Sequence, residues 1–301
     1  MRAVLRWTAI GAGLVLVVAA GLGWAAYRKF SGNIRTDRAA EQVLSRYAAE
    51  RPRSLVPQAS NILVMGADGP DAEDAAAGAD GRPSAHGFRG FEGPGSPGGG
   101  PADTAVLLHL SADHQRAAAI GVPGDLRVTV PECGPHAGRG AAAEETFGET
   151  LGEAFQGGGA ACTIRAFERL SGIRVDHHLV VDMNGLARIR AAVGGPAAGR
   201  RAALLRALAA EAHRGPRTLV HPARLYGFLD TATSSITADP GLSSLPALYE
   251  LAGHLRGLPA DGLVVRSVPV GGHGAVREPE AGRLFAAVRE DRPVGKTTQV
   301  S

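Results

Sequence analysis

Two apolar runs, separated by a short polar segment, constrain the fold of this chain more than any other feature. Thr104–Leu110 and Arg116–Val122 have the composition of β-strands, and Ser111–Gln115 between them has that of a turn. The pattern predicts an antiparallel hairpin. Because paired strands lie about 5 Å apart, Asp103 before the first strand and Asp125 after the second should lie near each other at one end of a sheet.

These two aspartates allow two interpretations. Neighbouring carboxylates can hold a divalent cation through hard oxygen ligands, or they can share a proton. Alternatively, Asp103 only begins a strand and Pro123–Asp125 is an ordinary turn. The residues alone leave both interpretations open.

Other segments predict a mixed α/β fold around one sheet. Ile62–Met65 is a short, wholly apolar run that indicates a buried central strand, and Val175–Met183 and Leu263–Val270 indicate two more strands. Helical patterns occur at 34–50, 143–155, 160–170, 184–193, 199–214, 221–238, 245–258 and 278–289. This order of strands and helices predicts a central mixed β-sheet flanked by helices.

The N-terminal region has the composition of a membrane anchor. Trp7–Tyr27 holds no charged residue, and as a helix it spans about 30 Å, the hydrocarbon thickness of a bilayer. Basic residues flank it on both sides, so charge does not determine its orientation. A cleaved signal peptide is the alternative, with Val18–Ala20 as the cleavage-like site. An uncleaved single-pass anchor in the cytoplasmic membrane would leave the bulk of the chain extracytoplasmic.

Composition divides the chain into a membrane anchor at 1–30, a stalk helix and linker at 31–59, one domain at 60–290 and a polar tail at 291–301. Within the domain, 67–101 is rich in Gly, Ala, Asp and Pro and predicts a flexible loop.

With 301 residues, of which 45% are hydrophobic, the chain is long enough to bury a core. A net charge of +3 allows an anionic partner. No signature of nucleic-acid binding occurs, so nucleic acid is not an expected partner.

The chain has two cysteines, Cys133 and Cys162. An even number is compatible with one disulfide outside the cytoplasm. Closing the loop between them would contribute roughly 3–4 kcal/mol in the chain-entropy model. The alternative is that they are two unrelated small buried residues.

Several segments, in the same order and with the same spacing, resemble the LytR-CpsA-Psr proteins, a family of membrane-anchored phosphotransferases of bacterial cell-wall assembly. The segments are Asn61–Asp68, Ala102–Asp113, Gly121–Asp125, Phe155–Gly158, Thr163–Asp182, Val193–Gly195, Val268–Gly272 and Leu284–Val294. The resemblance extends from the anchor nearly to the C-terminus and implies the fold of that family.

Members of the family transfer a glycopolymer from a polyprenyl-pyrophosphate carrier to peptidoglycan outside the cytoplasmic membrane, usually with Mg²⁺. The resemblance implies that Asp103 and Asp125 are catalytic, with Asp103 beside the metal and Asp125 beside the pyrophosphate. Arg127, Arg200 and Arg201 are the expected substrate-binding residues, because arginine binds phosphate oxygens well. The expected partners are a polyprenyl-linked glycopolymer, peptidoglycan and the membrane.

The sequence departs from the family at several positions. Pro101 and Gly124 occupy positions where the family has arginine, and Thr150–Gly152 stands where it has a Lys-hydrophobic-Asn motif. Three functions therefore stay open. The first is a phosphotransferase with relocated basic residues, and the second is a non-catalytic protein that binds polyprenyl phosphates or cell-wall polymer, or scaffolds active relatives. The third is a tethered domain whose motif remnants only maintain the sheet.

Overall fold

The computed structural model describes residues 2–67, 103–131, 133, 146–182 and 222–295. In chain order, the helices are α1 (Arg2–Asn33), α2 (Arg38–Arg46), α3 (Leu151–Ser171), α4 (Pro222–Ser234), α5 (Leu245–Arg256) and α6 (Glu280–Arg289). The strands are β1 (Arg35–Thr36), β2 (Ser60–Ala67), β3 (Asp103–Leu110), β4 (Ala117–Pro123), β5 (Arg127–Val130), β6 (Thr146–Thr150), β7 (His177–Asp182), β8 (Ile236–Ala238) and β9 (Leu263–Ser267).

Seven strands form one mixed sheet in the order β1-β8-β7-β2-β3-β4-β9, and β5 pairs with β6 in a second, two-stranded sheet. β2 lies at the centre, parallel to β7 on one side and antiparallel to β3 on the other. β3 and β4 form the hairpin that the apolar runs predict, with Leu107 opposite Ile120. β9 extends the sheet by pairing parallel to β4. The predicted central strand and hairpin are confirmed.

Side-chain alternation along β2 separates the two faces of the sheet. Leu63 and Met65 are fully buried on one face, where α2, α3 and α6 cover the sheet. Ile62 and Val64 face the other side, which α5 covers through apolar residues such as Leu248. A strand buried on both faces needs an unbroken apolar run, as residues 62–65 provide. The prediction of a mixed sheet flanked by helices is therefore confirmed.

The apolar stretch Trp7–Tyr27 lies within α1. Within the part of the chain that the structure describes, no helix combines the length and hydropathy needed to cross a bilayer. The predicted membrane anchor stays a prediction.

The end of α1 and the residues that follow it pack on the domain. Asn33 Nδ2 donates a hydrogen bond of 2.9 Å to the carboxylate of Asp230 in α4. Ile34 is buried in the core on the α5 face of the sheet, and Leu44 is buried in the core on the opposite face. Part of the segment 31–59, which the sequence predicts as a stalk and linker, therefore belongs to the packed domain.

One predicted helix begins later than the sequence pattern indicates. The pattern predicts a helix over 143–155, but Thr146–Thr150 is strand β6 and the helix begins at Leu151. Thr150 sets this boundary, because its hydroxyl accepts the backbone N–H of Glu153 and so caps the helix. Strand β5, with which β6 pairs, is only four residues long and was not predicted.

A second predicted helix, over 221–238, ends at Ser234 and is followed by strand β8. β8 lies between β7 and β1 in the sheet, and a strand of three residues is too short to show a periodicity. The helices predicted at 184–193 and 199–214 lie outside the described residues. The predicted loop at 67–101 also lies outside them, except for Ala67, which is the last residue of β2 and not part of a loop.

Candidate functional site

The β3–β4 hairpin brings the positions of the two predicted aspartates to the same end of the sheet. In the strand register Asp103 lies opposite Pro123, and Asp125 follows two residues later. The register shifts between Asp103 and Ala105, and such bulges are frequent next to functional sites. The backbone thus agrees with the expected proximity, while the side chain of Asp103 is not among those described.

Asp125 and Arg127 lie on the same exposed surface because the residues from 125 to 128 alternate between solvent and core. Leu126 and Val128 are 0% and 4% exposed and belong to the core under the sheet. Asp125 and Arg127, at the intervening positions, are exposed. Asp125 lies in the turn after β4 and Arg127 begins β5, and both border the same cleft, so the two residues share one surface.

A cleft of about 480 Å³ opens at this surface. It is lined by Asp125, Arg127, Thr150, Val270, Gly271, His273 and Gly274. These residues come from the segment after the hairpin, from the residue that precedes α3, and from the loop after β9. The volume lies within the range of small-molecule sites, roughly 300–1,000 Å³. Of the residues that the sequence singles out, the structure brings Asp125 and Arg127 together here.

Backbone carbonyls hold the guanidinium of Arg127 in place. Its Nε donates to the carbonyl of His273 at 3.0 Å, and its Nη1 donates to the carbonyl of Gly148 at 2.7 Å. A guanidinium has five N–H groups, and the described residues supply acceptors for these two. Arg127 is therefore oriented and can still donate hydrogen bonds to an anion in the cleft.

The loop after β9 forms one wall of the cleft, and the sequence-based predictions did not include it in the site. Val270 and Val276 pair across the base of the loop. At its tip, His273 and Gly274 have φ angles of 61° and 74°. The available signal was the pair of glycines in Val268–Gly272, one of the segments that carry the family resemblance.

The N-terminus of α3 borders the cleft and is capped within the chain. The Thr150 hydroxyl accepts the N–H of Glu153 at 3.2 Å, and the Glu153 carboxylate accepts the N–H of Thr150 at 2.7 Å. This reciprocal pair is a capping box. The hydrogen bond from the Thr150 N–H, the Thr150 hydroxyl and the charge of Arg127 hold the pKa of Glu153 below its usual value. The capping box keeps Thr150 at the edge of the cleft.

Gly124 occupies one of the positions at which the resemblance to the LytR-CpsA-Psr proteins implies arginine. Its carbonyl accepts the N–H of Gly152 at 2.9 Å, which joins the segment after the hairpin to the start of α3. Among the described lining residues, Arg127 supplies the guanidinium. Pro101, Arg200 and Arg201 lie outside the described residues.

The structure joins Cys133 and Cys162 in a disulfide, with their Cα atoms 5.2 Å apart. Cys162 follows a break in α3, where Gly158 and Gly159 have non-helical backbone angles. A Cβ atom at Gly158 would overlap the sulfur of Cys162. Gly159 has a φ of 62°, which favours glycine. The glycines therefore make room for the disulfide and redirect the helix beside it.

Within the described residues, no group of three or more His, Cys, Asp or Glu side chains is arranged to hold a metal ion. Asp125 nevertheless presents an exposed carboxylate to the cleft. A carboxylate of this kind can accept a proton or stand beside a cation, and the nearby guanidinium can bind phosphate oxygens. The arrangement suits an anionic ligand such as a phosphate ester.

Comparison of the sequence with models of known protein families identifies a match to one family. The model described as the LytR_cpsA_psr family matches residues 30–197, more than half of the chain. A comparison with curated protein sequences gives no significant match. The solved LytR-Csp2A-Psr enzyme from Actinomyces oris is 17% identical, with a TM-score of 0.50 over 79% of this chain and 93% of that chain.

Two structures of B. subtilis proteins are also similar. TagV is 14% identical, with a TM-score of 0.49 over 78% of this chain and 98% of that chain. TagT, solved bound to LI-WTA, is 13% identical, with a TM-score of 0.43 over 77% of this chain and 90% of that chain. On the match of the family model, the chain belongs to the LytR-CpsA-Psr family, which includes cell-wall glycopolymer transferases.

Proposed function

We propose that this protein is a phosphotransferase of cell-wall assembly that transfers a glycopolymer from a polyprenyl-pyrophosphate carrier to peptidoglycan. The observation that carries the proposal is the cleft shared by Asp125 and Arg127. It combines an exposed carboxylate with a guanidinium whose N–H groups are only partly used by the described residues. Membership of the family adds support, since cell-wall glycopolymer transferases belong to it.

In the proposed reaction, Arg127 donates hydrogen bonds to non-bridging oxygens of the pyrophosphate. A hydroxyl group of the acceptor attacks the phosphorus atom that carries the glycopolymer, and the proton of that hydroxyl passes to Asp125. The P–O–P bond breaks and polyprenyl phosphate leaves. The glycopolymer is then joined to peptidoglycan through a phosphodiester. Such reactions depend mainly on positioning and on charge stabilisation in the transition state.

Mg²⁺ fits the donor chemistry of this end of the hairpin. The ion is usually held by one or two carboxylates together with phosphate oxygens and water. Asp103 would supply the carboxylate, because the strand register places it opposite Pro123, close along the chain to Asp125. When bound, Mg²⁺ neutralises charge on the pyrophosphate. Arg200 and Arg201 remain further proposed ligands of the substrate.

The proposal places the domain outside the cytoplasmic membrane, with Trp7–Tyr27 as a single membrane span. The uncharged length of that segment supports an anchor. The disulfide between Cys133 and Cys162 supports an oxidising, extracytoplasmic location. A membrane-bound protein would meet a polyprenyl carrier in the same bilayer.

A non-catalytic binding protein is the second candidate function. It is favoured by Gly124, which supplies no side chain at a position where the family has arginine. Loss of one preorganised electrostatic donor typically lowers a rate by about 10²–10³. Without an arginine at position 124, the protein would hold a polyprenyl-linked glycopolymer and turn it over slowly or not at all.

The deciding experiment incubates the full chain in detergent micelles with a polyprenyl-pyrophosphate-linked glycan, Mg²⁺ and peptidoglycan fragments, and measures release of polyprenyl phosphate. We expect Asp125→Asn to lower the rate by about 10²–10⁴, as for loss of a general base. We expect Arg127→Ala to lower it by about 10²–10³.

Matched controls are Asp261→Asn and Arg256→Ala, which change exposed side chains away from the cleft lining. Both should retain the wild-type rate. Tight binding of the lipid-linked glycan without release of polyprenyl phosphate would refute the transferase function and support the non-catalytic binding protein. If the protein neither binds the lipid-linked glycan nor releases polyprenyl phosphate, both proposed functions are refuted.

A further inference from the structure

A histidine stands at the tip of the loop that faces Asp125 and Arg127. His273 lies in the loop closed by the pairing of Val270 with Val276, and it lines the cleft. Its side chain is exposed. An imidazole can donate a hydrogen bond to a phosphate oxygen or carry a positive charge, so its position in this cleft has chemical consequences.

The backbone conformation of His273 is one that side-chain-bearing residues rarely adopt. Its φ is 61°, in the left-handed region, where a Cβ atom is unfavourable by about 1–2 kcal/mol. Gly272 and Gly274 flank it, and a glycine at 273 would adopt the same conformation without strain. A strained residue of this kind at a cleft is a reason to look for a function of its side chain.

Two backbone contacts hold the loop against the proposed catalytic residues. The carbonyl of His273 accepts the Nε–H of Arg127 at 3.0 Å. Gly274 packs so closely on the segment after the hairpin that a Cβ there would overlap the carbonyl oxygen of Asp125. The loop is therefore joined to Asp125 and Arg127 through the main chain. The side chain of His273 is exposed, and among the described residues none forms a hydrogen bond with its imidazole, so a ligand in the cleft can contact it.

The charge of the proposed substrate exceeds what Arg127 alone can balance. A pyrophosphate diester carries two negative charges, and the described cleft lining offers Arg127 as a cation beside the anionic Asp125. Gly124 supplies no cation where the family has arginine. The Mg²⁺ proposed above would neutralise part of this charge, and within the described lining His273 is the side chain besides Arg127 that can donate an N–H to the phosphate oxygens.

We propose that His273 contacts the pyrophosphate of the substrate, with its imidazole N–H donating to a phosphate oxygen opposite Arg127. This inference rests on the proposed function, because it names a further ligand of the same substrate. His273 would then take over part of the role that arginine has in the family at the position of Gly124.

The experiment measures the Kd of the full chain for geranylgeranyl pyrophosphate with Mg²⁺ in detergent micelles by titration calorimetry. His273→Gly removes the imidazole and suits the left-handed backbone, and His273→Asn also tolerates that backbone but replaces the imidazole by a shorter amide. Both should bind about tenfold to hundredfold more weakly, as expected for loss of a charge-assisted hydrogen bond. His273→Lys supplies an N–H donor that carries a positive charge and should bind within about threefold of the wild type.

Thermal unfolding of the same variants separates binding from folding. His273→Gly should unfold at or above the wild-type temperature, since it relieves the left-handed conformation. His254→Ala, which alters an exposed histidine of α5, is the matched control and should leave the Kd unchanged.

The outcomes of the titration distinguish this inference from the proposed function. Binding of His273→Gly and His273→Asn within about twofold of the wild type, while Arg127→Ala binds weakly, would overturn the role of His273 and leave the proposed function in place. If His273→Gly and His273→Asn bind weakly and His273→Lys binds equally weakly, the role of His273 is also overturned. A wild-type chain that does not bind the probe would overturn both.

Discussion

Gly158 lies against the sulfur of Cys162, so close that a Cβ atom at position 158 would overlap that sulfur. The disulfide with Cys133 therefore occupies the space that a side chain at 158 would need. Gly159, with a φ of 62°, redirects the chain before the second part of α3. The break in α3 thus follows from the packing of the crosslink.

Gly158→Ala should lower the free energy of unfolding by about 1–3 kcal/mol, the usual cost of forcing an extra carbon into a packed site. Denaturant unfolding at equilibrium measures this difference. Gly157→Ala is the matched control, because a Cβ atom there meets no atom within 4 Å. That control should leave stability unchanged or raise it by up to about 1 kcal/mol. Equal losses in both variants would refute the steric explanation.

Replacing both Cys133 and Cys162 by alanine should lower the free energy of unfolding by roughly 3–4 kcal/mol in the chain-entropy model. In that background Gly158→Ala should cost less than in the wild type, because the sulfur that it overlaps is gone. A double-mutant cycle from denaturant unfolding measures this coupling. Additive losses would show that Gly158 and the disulfide act independently.

Arg51 pairs with the buried carboxylate of Glu168, which is 2% exposed. The Nε and Nη2 atoms of Arg51 donate to it at 2.9 and 2.7 Å. Arg51→Ala should cost about 3–5 kcal/mol, because it leaves a buried charge without its partner. Arg53→Ala removes an exposed arginine nearby and should change stability by less than about 0.5 kcal/mol. A loss of that small size for Arg51→Ala would contradict the prediction.

His109 should make the protein less stable in mild acid. Its ring lies between Asn61 at 2.8 Å and Asp291 at 3.2 Å, and burial lowers the pKa of His109 below its usual value of 6.5. The unfolded chain therefore binds a proton more readily than the folded one in this range. The contribution of neutral His109 to the free energy of unfolding is fully present above about pH 6.5 and is lost as the pH falls towards the folded-state pKa. His109→Gln should show a flatter decline of Tm between pH 7 and 5.

His177 provides a control of opposite sign. Its hydrogen bond with Asp239 raises the pKa of His177, so its contribution is present below pH 6.5 and is lost as the pH rises through the folded-state pKa. His177→Gln should therefore steepen the loss of Tm in acid, in contrast to His109→Gln. Equal acid slopes in the two variants would contradict both assignments.

Gly124→Arg restores arginine at one of the positions where the family has it. If the protein is a transferase, the new guanidinium should raise release of polyprenyl phosphate by about tenfold or more, since such a donor is typically worth about 10²–10³ in rate. Ala260→Arg adds the same side chain at an exposed position away from the cleft lining and should not change the rate. A lower rate in Gly124→Arg would favour the binding protein.

The correctly predicted parts of the fold are those whose hydrophobic pattern lies in residues that are consecutive in the sequence. The apolar run of β2 and the second run of the hairpin, β4, bury consecutive side chains, while the first run, β3, alternates between buried and half-buried residues from Ala105 to Leu108. Strands β5 and β8 have four and three residues, too few to show a period. The segment predicted as a polar tail begins with Asp291, whose carboxylate accepts the N–H of Ala112 in the hairpin turn at 3.0 Å. That contact joins residues 179 positions apart.

The sequence by itself determined the central strand, the hairpin that ends near Asp125, and the resemblance to a family, because each depends on residue order over short distances. Only the tertiary structure decided that the loop of His273 faces Arg127, a residue 146 positions away. The contact that joins them is a hydrogen bond to a main-chain carbonyl, which any residue at 273 could accept. Such a contact leaves no pattern in the side chains, so the composition of the cleft became visible only once the chain was folded.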